Sequence, residues 1–300
     1  MRQLTLCIYY NDKGTLANSI QAPYTPLLSF KFQHAWSVAI MREDEDTGED
    51  KLHCSGSLIS DKHVLTASHC FYTKTSQEID KNEFTLIFGS TNPTDSEENE
   101  KRNAIIKYRI KELHTHPKYD KKSAYFDVGI VELAKPIRYF QENIWPICIP
   151  AQPMPNFNHL YDKTGTVVAY GPNGKNAPSE LTAIDLPVRG KEWCERLFDV
   201  DSLHPKFTVI STSLPNPKKF NNPSIFCAQK EGSNFGTCEG DSGGPFVRFD
   251  ADPTDPKWYQ AAVVHGSGES CDGTRFPSIF VRLDNEDILP WIMKIVFPGK

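Results

Sequence analysis

The 300-residue sequence contains no apolar run that approaches the roughly eighteen residues a membrane helix needs, so no membrane-spanning segment is expected. It has no excess of positive charge: 33 Lys and Arg residues against 38 Asp and Glu residues give a net charge of −5. This balance argues against nucleic acid as the main partner. No C-x-x-C pair is present, so neither a zinc ribbon nor a redox motif is supported.

Short apolar or alternating segments, separated by polar turns that contain proline and glycine, dominate the chain. Their lengths and spacings are typical of the strands of an all-β barrel or sandwich. One helix is expected, over Glu286–Val296, with Asp284 or Asn285 as its cap and Pro290 in its first turn. The predicted strands are Trp36–Ile40, Ser57–Ile59, Val64–Thr66, Phe84–Phe88, Ile105–Ile110, Val128–Leu133, Thr166–Tyr170, Pro245–Phe249, Ala261–Val264 and Ile279–Leu283.

Three polar segments are interpreted as surface insertions: Glu43–Asp50, Ser90–Asn103 and Phe198–Asn222. The run from Lys101 to Lys122 carries eight Lys or Arg residues. A solvated face is the expected interpretation of this run, with a substrate-docking patch as the alternative.

Three motifs carry residues suited to catalysis. The hexapeptide Gly240–Pro245 (GDSGGP) should arise by chance in roughly one chain of this length in 10⁴–10⁵. Its glycines allow the backbone to approach a bound substrate and to turn its N–H groups inward. The segment Leu65–Cys70 places His69 after an apolar strand, and Tyr125–Leu133 places Asp127 before another. Each of these two is weak alone, because a lone histidine or a strand-opening aspartate is more often structural.

The order His69, Asp127, Ser242, with the serine inside that hexapeptide, resembles the trypsin/chymotrypsin family of serine peptidases over about residues 36–297. An α/β-hydrolase does not fit, because that fold places its histidine last. Three further segments match the family: Cys54–Ile59, Trp145–Pro150 and Leu289–Ile292.

The resemblance implies an all-β fold of two antiparallel Greek-key β-barrels with a C-terminal α-helix. It divides the chain into a pro-segment, residues 1–22, tethered by Cys7, and a peptidase domain, residues 23–300. The first barrel would span about residues 36–145 and the second about 160–284, followed by a helix at about 285–297.

The resemblance also assigns catalytic roles. Ser242 would be the nucleophile, and His69 the base that takes its proton and then protonates the leaving amine. Asp127 would hold His69 in the right tautomer and stabilise its imidazolium form. The N–H groups of Gly240 and Ser242 would form the oxyanion hole.

Eight cysteines suggest paired disulfides and an oxidising compartment, with scattered cytosolic thiols as the alternative. The family pattern implies Cys54–Cys70, Cys194–Cys227, Cys238–Cys271 and a link from the pro-segment, Cys7–Cys148. With all eight residues paired, we expect a secreted, extracellular protein. The N-terminus is too short and polar to be a signal peptide, so we expect that the signal peptide is missing from this chain.

The substrate pocket departs from the pattern of Lys/Arg-specific relatives. Gly236 stands where an aspartate would recruit a basic side chain, and Ser278 stands where glycine usually lines the back of the pocket. The wall of the pocket lacks the Ser-Trp-Gly sequence that is usual in the family. This segment can be aligned with the family in two ways, which leaves open whether His265 replaces the serine or the tryptophan. Because an unpartnered buried charge is costly, we expect neutral, apolar P1 residues of small to medium size. The implied pocket residues are Gly236, Thr237, Glu239, His265, Gly266, Ser267 and Ser278.

The activation motif of the family, an Ile-Val-Gly-Gly-like new terminus whose amine pairs with the residue at Asp241, is absent before Trp36. Ile20 and Leu27 are the candidate new termini. This absence motivates a second hypothesis, a catalytically silent homologue that acts as a binding module or cascade cofactor.

The segment Ser90–Glu100 aligns with the calcium loop of the family and offers Asn92, Glu97 and Glu100 as weak ligand candidates. An acidic solvated loop is the favoured interpretation, because hard cations need six or more oxygens. No cofactor is expected. The leading hypothesis is a secreted serine endopeptidase of an extracellular cascade, similar to the catalytic domains of invertebrate modular clotting or immune proteases. Its expected partners are protein or peptide substrates, upstream recognition modules and serpin-type inhibitors, with neither nucleic acid nor membrane among them.

Overall fold

The computed structural model describes residues 5–10, 16–18, 34–44, 46–73, 75–94, 106–121, 125–138, 140, 143–172, 179–198, 223–233, 236–251, 256–267 and 277–298. The strands in these ranges are β1 (Thr5–Leu6), β2 (Ile8–Tyr10), β3 (Leu16–Asn18), β4 (Ser37–Glu43), β5 (Asp50–Leu58), β6 (His63–Thr66), β7 (Phe84–Phe88), β8 (Ile106–Tyr108), β9 (Ile110–Thr115), β10 (Gly129–Leu133), β11 (Ile149–Pro150), β12 (Thr164–Ala169), β13 (Thr182–Pro187), β14 (Ile225–Ala228), β15 (Pro245–Asp250), β16 (Lys257–Gly266) and β17 (Ser278–Arg282). The helices are α1 (Lys191–Phe198) and α2 (Ile288–Val296), and 3₁₀ turns occur at Ser68–Phe71, Lys81–Glu83 and Asn158–Leu160.

Two curled antiparallel sheets form the body of the protein, which confirms the predicted fold class. The first sheet has the strand order β8-β7-β4-β5-β6-β10-β9, and the second has the order β13-β12-β15-β16-β17-β14. Every residue of β6, β7 and β10 is buried. This explains why these segments read as continuous rather than alternating apolar runs, since both of their faces are covered.

The core of the second sheet is built on three phenylalanines from three strands. Phe226, Phe246 and Phe280 are fully buried, and their ring centroids lie 4.8–5.5 Å apart. Such distances suit offset and edge-to-face ring packing. This cluster holds β15, which follows the GDSGGP motif, against β14 and β17.

The C-terminal helix packs on the core of the first sheet. Its residues Ile288, Leu289 and Ile292 belong to the same buried cluster as Trp36. The helix begins at Ile288 rather than Glu286, because the Asn285 side-chain oxygen accepts from the N–H groups of residues 287 and 288 at 2.9 and 3.3 Å. Asn285 is thus the capping side chain, and Pro290 lies in the first turn as predicted.

Three disulfides fasten the described chain. Cys7–Cys148 accompanies the pairing of β1 with β11, Cys54–Cys70 joins β5 to the 3₁₀ turn that carries His69, and Cys194–Cys227 joins α1 to β14. The predicted pair Cys238–Cys271 involves Cys271, which lies outside the described residues. The predicted 22/23 boundary and the candidate termini Ile20 and Leu27 also lie outside them. None of the helices in the described ranges is long and apolar enough to cross a membrane.

Candidate active site

His69 is held on a 3₁₀ turn that follows β6 directly. The turn is fastened by the Cys54–Cys70 disulfide and by Ser68, whose hydroxyl donates to the carbonyl of Val128 at 2.7 Å. Val128 precedes β10, so the same bond ties the histidine turn to the loop that carries Asp127. One disulfide and one hydrogen bond therefore hold the turn of His69 beside the loop of Asp127.

Asp127 and His69 form a two-point contact. The backbone N–H of His69 donates to Asp127 Oδ1 at 2.8 Å, and the imidazole Nδ1 donates to Oδ2 at 2.6 Å. Because a carboxylate accepts hydrogen bonds only, Nδ1 of His69 carries the proton, and Nε2 is left to act as a base. The Asp127 side chain is fully buried, whereas that of His69 is 31% exposed.

The charges of this pair set their proton affinities. Burial disfavours the carboxylate, but the nearby His69 and hydrogen bonds from two imidazoles outweigh it and hold the pKa of Asp127 well below its usual range. Burial likewise disfavours the imidazolium form, yet the charge and hydrogen bond of Asp127 raise the pKa of His69 above its ordinary value. The pair is arranged to accept a proton at His69.

Ser242 lies in the turn between Cys238 and β15. Its carbonyl accepts from the N–H of Ser55, on β5 of the first sheet, at 2.8 Å. Its hydroxyl donates to the backbone carbonyl of His265 at 3.3 Å. The described residues contain no hydrogen bond between His69 and Ser242, and resting enzymes often show long or unformed catalytic hydrogen bonds.

Two glycines make the serine turn possible. Gly240 has φ +94° and Gly243 has φ +81°, and both lie in the left-handed region that glycine favours. A Cβ on Gly243 would lie 2.0 Å from the hydroxyl oxygen of Thr66 and 2.4 Å from the carbonyl oxygen of Ser55. No backbone carbonyl in the described ranges accepts from the N–H of Gly240 or Ser242.

Asp241 points away from the serine into the protein. Its Oδ1 accepts from the N–H of Gly171 at 2.8 Å, and its Oδ2 accepts from the N–H of Cys238 at 2.7 Å. The residue is only 3% exposed. Burial raises the pKa of Asp241 to about 6, although both backbone hydrogen bonds act in the opposite direction.

A third side chain joins the Asp127–His69 pair. His265, near the end of β16, directs its Nδ1 to Asp127 Oδ2 at 2.5 Å, and its ring meets the His69 ring edge to face at 5.3 Å between centroids. The sequence singled out His265 as a wall residue of the pocket and missed this contact. The contact spans 138 positions, and no local pattern could have indicated it.

Three of the predicted pocket residues meet through hydroxyl groups. The N–H and hydroxyl of Thr237 both donate to Ser278 Oγ, at 3.1 and 3.0 Å, and Ser267 Oγ donates to the Thr237 carbonyl at 2.5 Å. Gly236 is half-buried beside them, and the Glu239 side chain is exposed. Thr237 and Ser278 are buried, so these three residues form a connected network of hydroxyl groups.

Asn92 is the predicted calcium ligand that lies in the described residues. Asn92 Oδ1 accepts from the N–H and hydroxyl of Thr94, so it is already engaged in a local turn. The other calcium candidates, Glu97 and Glu100, lie outside the described residues.

The basic run is engaged by local contacts in the part that the structure describes. Lys111 pairs with Glu132 at 2.9 Å, Lys118 pairs with Asp287 at 2.7 Å, and Lys121 lies 3.8 Å from the ring centroid of Tyr72. These contacts favour the solvated face over a docking patch.

Two curled antiparallel sheets, with an aspartate–histidine pair on one and a serine in a glycine-rich turn on the other, define the class of chymotrypsin-like serine peptidases. The Trypsin family model matches residues 30–292, so the chain belongs to the trypsin family.

Its relatives include proteins named as clotting factors and as serine proteases. Limulus clotting factor C of Carcinoscorpius rotundicauda is 29% identical over 269 residues, which cover 88% of this chain and 24% of that protein. Serine protease 7 of Drosophila melanogaster is 26% identical over 271 residues, covering 87% of this chain and 62% of the relative. Mannan-binding lectin serine protease 1 of Mus musculus is 29% identical over 231 residues, covering 73% and 28% respectively. The chain thus spans about a quarter of the length of that clotting factor.

Proposed function

We propose that this chain is a serine endopeptidase that cleaves peptide bonds through an acyl-enzyme intermediate. The observation that carries the proposal is the fully buried Asp127, which accepts from both the backbone N–H and Nδ1–H of His69. A carboxylate held this way fixes the tautomer whose Nε2 can take a proton from a serine. The Ser242 hydroxyl donates to the carbonyl of His265, and the His265 imidazole contacts the same Asp127.

The chemistry follows from these positions. The Ser242 hydroxyl leaves the His265 carbonyl, gives its proton to His69 Nε2 and attacks the peptide carbonyl carbon. The N–H groups of Gly240 and Ser242 stabilise the oxyanion, and one such donor is typically worth about 3–4 kcal/mol. His69 then protonates the leaving amine, and a water molecule activated by the same imidazole hydrolyses the acyl-enzyme.

A fluorophosphonate probe tests this function on the processed protein. We expect covalent labelling that is lost in Ser242→Ala, and a fall in kcat of about 10⁴-fold in Asp127→Asn, which presents the wrong tautomer of His69. His114→Asn, at a half-buried position of β9 outside this site, serves as the matched control that keeps full labelling. A processed, folded protein that resists the probe would instead support the silent homologue. The hydrogen bond of Ser242 to His265 rather than to His69 is the observation that favours that second candidate.

We further propose a preference for small to medium neutral P1 side chains. Ser267 and Ser278 both bond to Thr237, so hydroxyl-bearing side chains fill space that glycine leaves open in wider pockets. Ser267 then takes the third position of the wall segment, and His265 takes the place of the usual serine. The described residues Thr237, Ser267 and Ser278 offer a buried basic P1 side chain hydroxyl groups and no countercharge, which is unfavourable.

Secretion and a role in an extracellular cascade are proposed from two observations. The described chain carries three disulfides, and several relatives are named as clotting factors or as a lectin-associated serine protease. On this proposal, upstream modules and serpin-type inhibitors are partners, and a cut before Trp36 frees an amine that pairs with Asp241. N-terminal sequencing of the secreted, active form locates the cut, and an uncut active form would overturn this activation route.

A further inference from the structure

Asp127 is shared by two histidines. Its Oδ2 receives the Nδ1 of His69 at 2.6 Å and the Nδ1 of His265 at 2.5 Å. Because the carboxylate can only accept, both imidazoles carry a proton on Nδ1. Together with the backbone N–H of His69 on Oδ1, the buried carboxylate has three donors from two sheets.

His265 reaches Asp127 from the second sheet, whereas His69 and Asp127 both belong to the first. Its side chain is 11% exposed, so the contact is largely shielded from water. Hydrogen bonds to charged groups in such surroundings are among the stronger ones. His265 therefore restrains Asp127 from the side that the histidine turn does not cover.

We infer that His265 is a positioning residue for the Asp127–His69 pair, and that protonation of His265 opposes protonation of His69. The inference rests on the proposed peptidase function. A neutral His265 donates through Nδ1 and steadies the carboxylate. A second proton, on Nε2, adds a positive charge whose ring centroid lies 5.3 Å from that of His69, beside the same carboxylate.

Two titratable side chains contact His265 directly. They are Asp127 and His69, and Tyr119 interacts with the charge of Asp127. Burial, reinforced by that charge, raises the pKa of Tyr119, so it stays neutral through the range in which imidazoles titrate. His53 does not contact His265 in the described hydrogen bonds, and its Nε2 bonds to the Cys70 carbonyl. Two interacting imidazoles lose their protons in coupled steps that belong to the pair.

Two substitutions separate the hydrogen bond from the charge. His265→Asn keeps a donor, since the amide nitrogen of asparagine takes the position of Nδ1, but it cannot titrate. His265→Val removes both donor and charge. We expect His265→Val to lower kcat by about 10–100-fold with little change in KM, by analogy with the loss of an outer hydrogen-bond partner of a metal-ligating side chain. We expect His265→Asn to recover most of that loss.

The pH profile supplies the second measurement. Wild-type log kcat/KM should fall on the acid side over a wider pH range than a single titration, because each proton opposes the other, whereas His265→Asn should fall as a single titration with a slope of one. His114→Asn removes an imidazole from β9, outside this site, and should keep the wild-type profile. Unchanged kcat in His265→Val, failure of His265→Asn to recover activity, or acid limbs of equal width in wild type and His265→Asn would each overturn the inference.

Proton NMR of the full chain tests the same bond without activity. We expect two downfield Nδ1–H resonances in wild type and one in His265→Asn. A single resonance in both proteins would overturn the inference even if Ser242 reacts with the probe. Two resonances in a protein that resists the probe would contradict the proposed peptidase function and leave the His265 contact supported.

Discussion

Asp241→Asn should make the uncut chain more stable at neutral pH and slightly less stable near pH 4. The carboxyl is buried and bonded to two backbone N–H groups, from Gly171 and Cys238, and burial raises its pKa from the ordinary 3.8 to about 6. Between these two pKa values the folded state therefore binds more protons than the unfolded state. Stability falls as the pH rises from about 4 to about 6, and the full loss remains above that range.

The size of the effect follows from the two pKa values. A tenfold change in proton affinity is worth about 1.4 kcal/mol, so ionised Asp241 costs about 3 kcal/mol at pH 7. Asparagine removes this cost, but its NH₂ group cannot accept from a backbone N–H, and one lost hydrogen bond costs about 1 kcal/mol. The variant should be about 1 kcal/mol less stable near pH 4 and about 2 kcal/mol more stable near pH 7.

A second buried group opposes this pH dependence of stability in the wild type. His63 is 2% exposed, and burial lowers its pKa from 6.5 to about 4. The unfolded state therefore binds more protons than the folded state between about pH 4 and 6.5, and His63 makes stability rise with pH. Because Asp241 and His63 act in opposite directions, the Asp241→Asn curve should rise more steeply with pH than the wild-type curve.

Urea unfolding at half-unit steps from pH 4 to 7 measures the difference between the two curves. A Ser242→Ala background prevents self-digestion, and Asp46→Asn, at an exposed turn, is the matched control. A stability difference that stays constant from pH 4 to 7, or that changes sign in the other direction, would refute the reasoning. In a processed chain, where an amine pairs with Asp241, the same substitution should instead destabilise by about 3–5 kcal/mol.

Two further predictions concern the turn and the pocket. Gly243→Ala should abolish or severely destabilise folding, because its Cβ would lie 2.0 Å from the Thr66 hydroxyl. Gly48→Ala, also at positive φ but with nothing within 4 Å, should cost only about 1–2 kcal/mol by thermal unfolding. Ser267→Gly and Ser278→Gly should each raise kcat/KM for a large apolar P1 residue relative to a small one by about 10-fold. Unchanged ratios across a P1 peptide series would show that these hydroxyls do not set the pocket size.

Much of the fold was predictable because the strongest signals are local. The continuous apolar segments at Phe84–Phe88 and Pro245–Phe249 correspond to strands β7 and β15, since buried strands need no alternation. The sequence missed the helix Lys191–Phe198 and the strand Thr182–Pro187. The helix has a single buried residue among those whose side chains are described, Cys194, and the strand alternates with exposed positions. The helix is held by a disulfide and the strand by pairing with β12. Neither interaction leaves a strong local pattern in the sequence.

The sequence alone determined which reactive side chains the protein carries: a serine in a glycine-rich turn, a histidine after one buried strand and an aspartate before another. These are properties of short segments, where residue type and spacing decide the local backbone. The tertiary structure decided which of those groups share a partner. Asp127 and His265 are 138 positions apart in sequence, and they meet only because the two sheets close on each other. Their hydrogen bond forms where burial makes a carboxylate without a partner unfavourable.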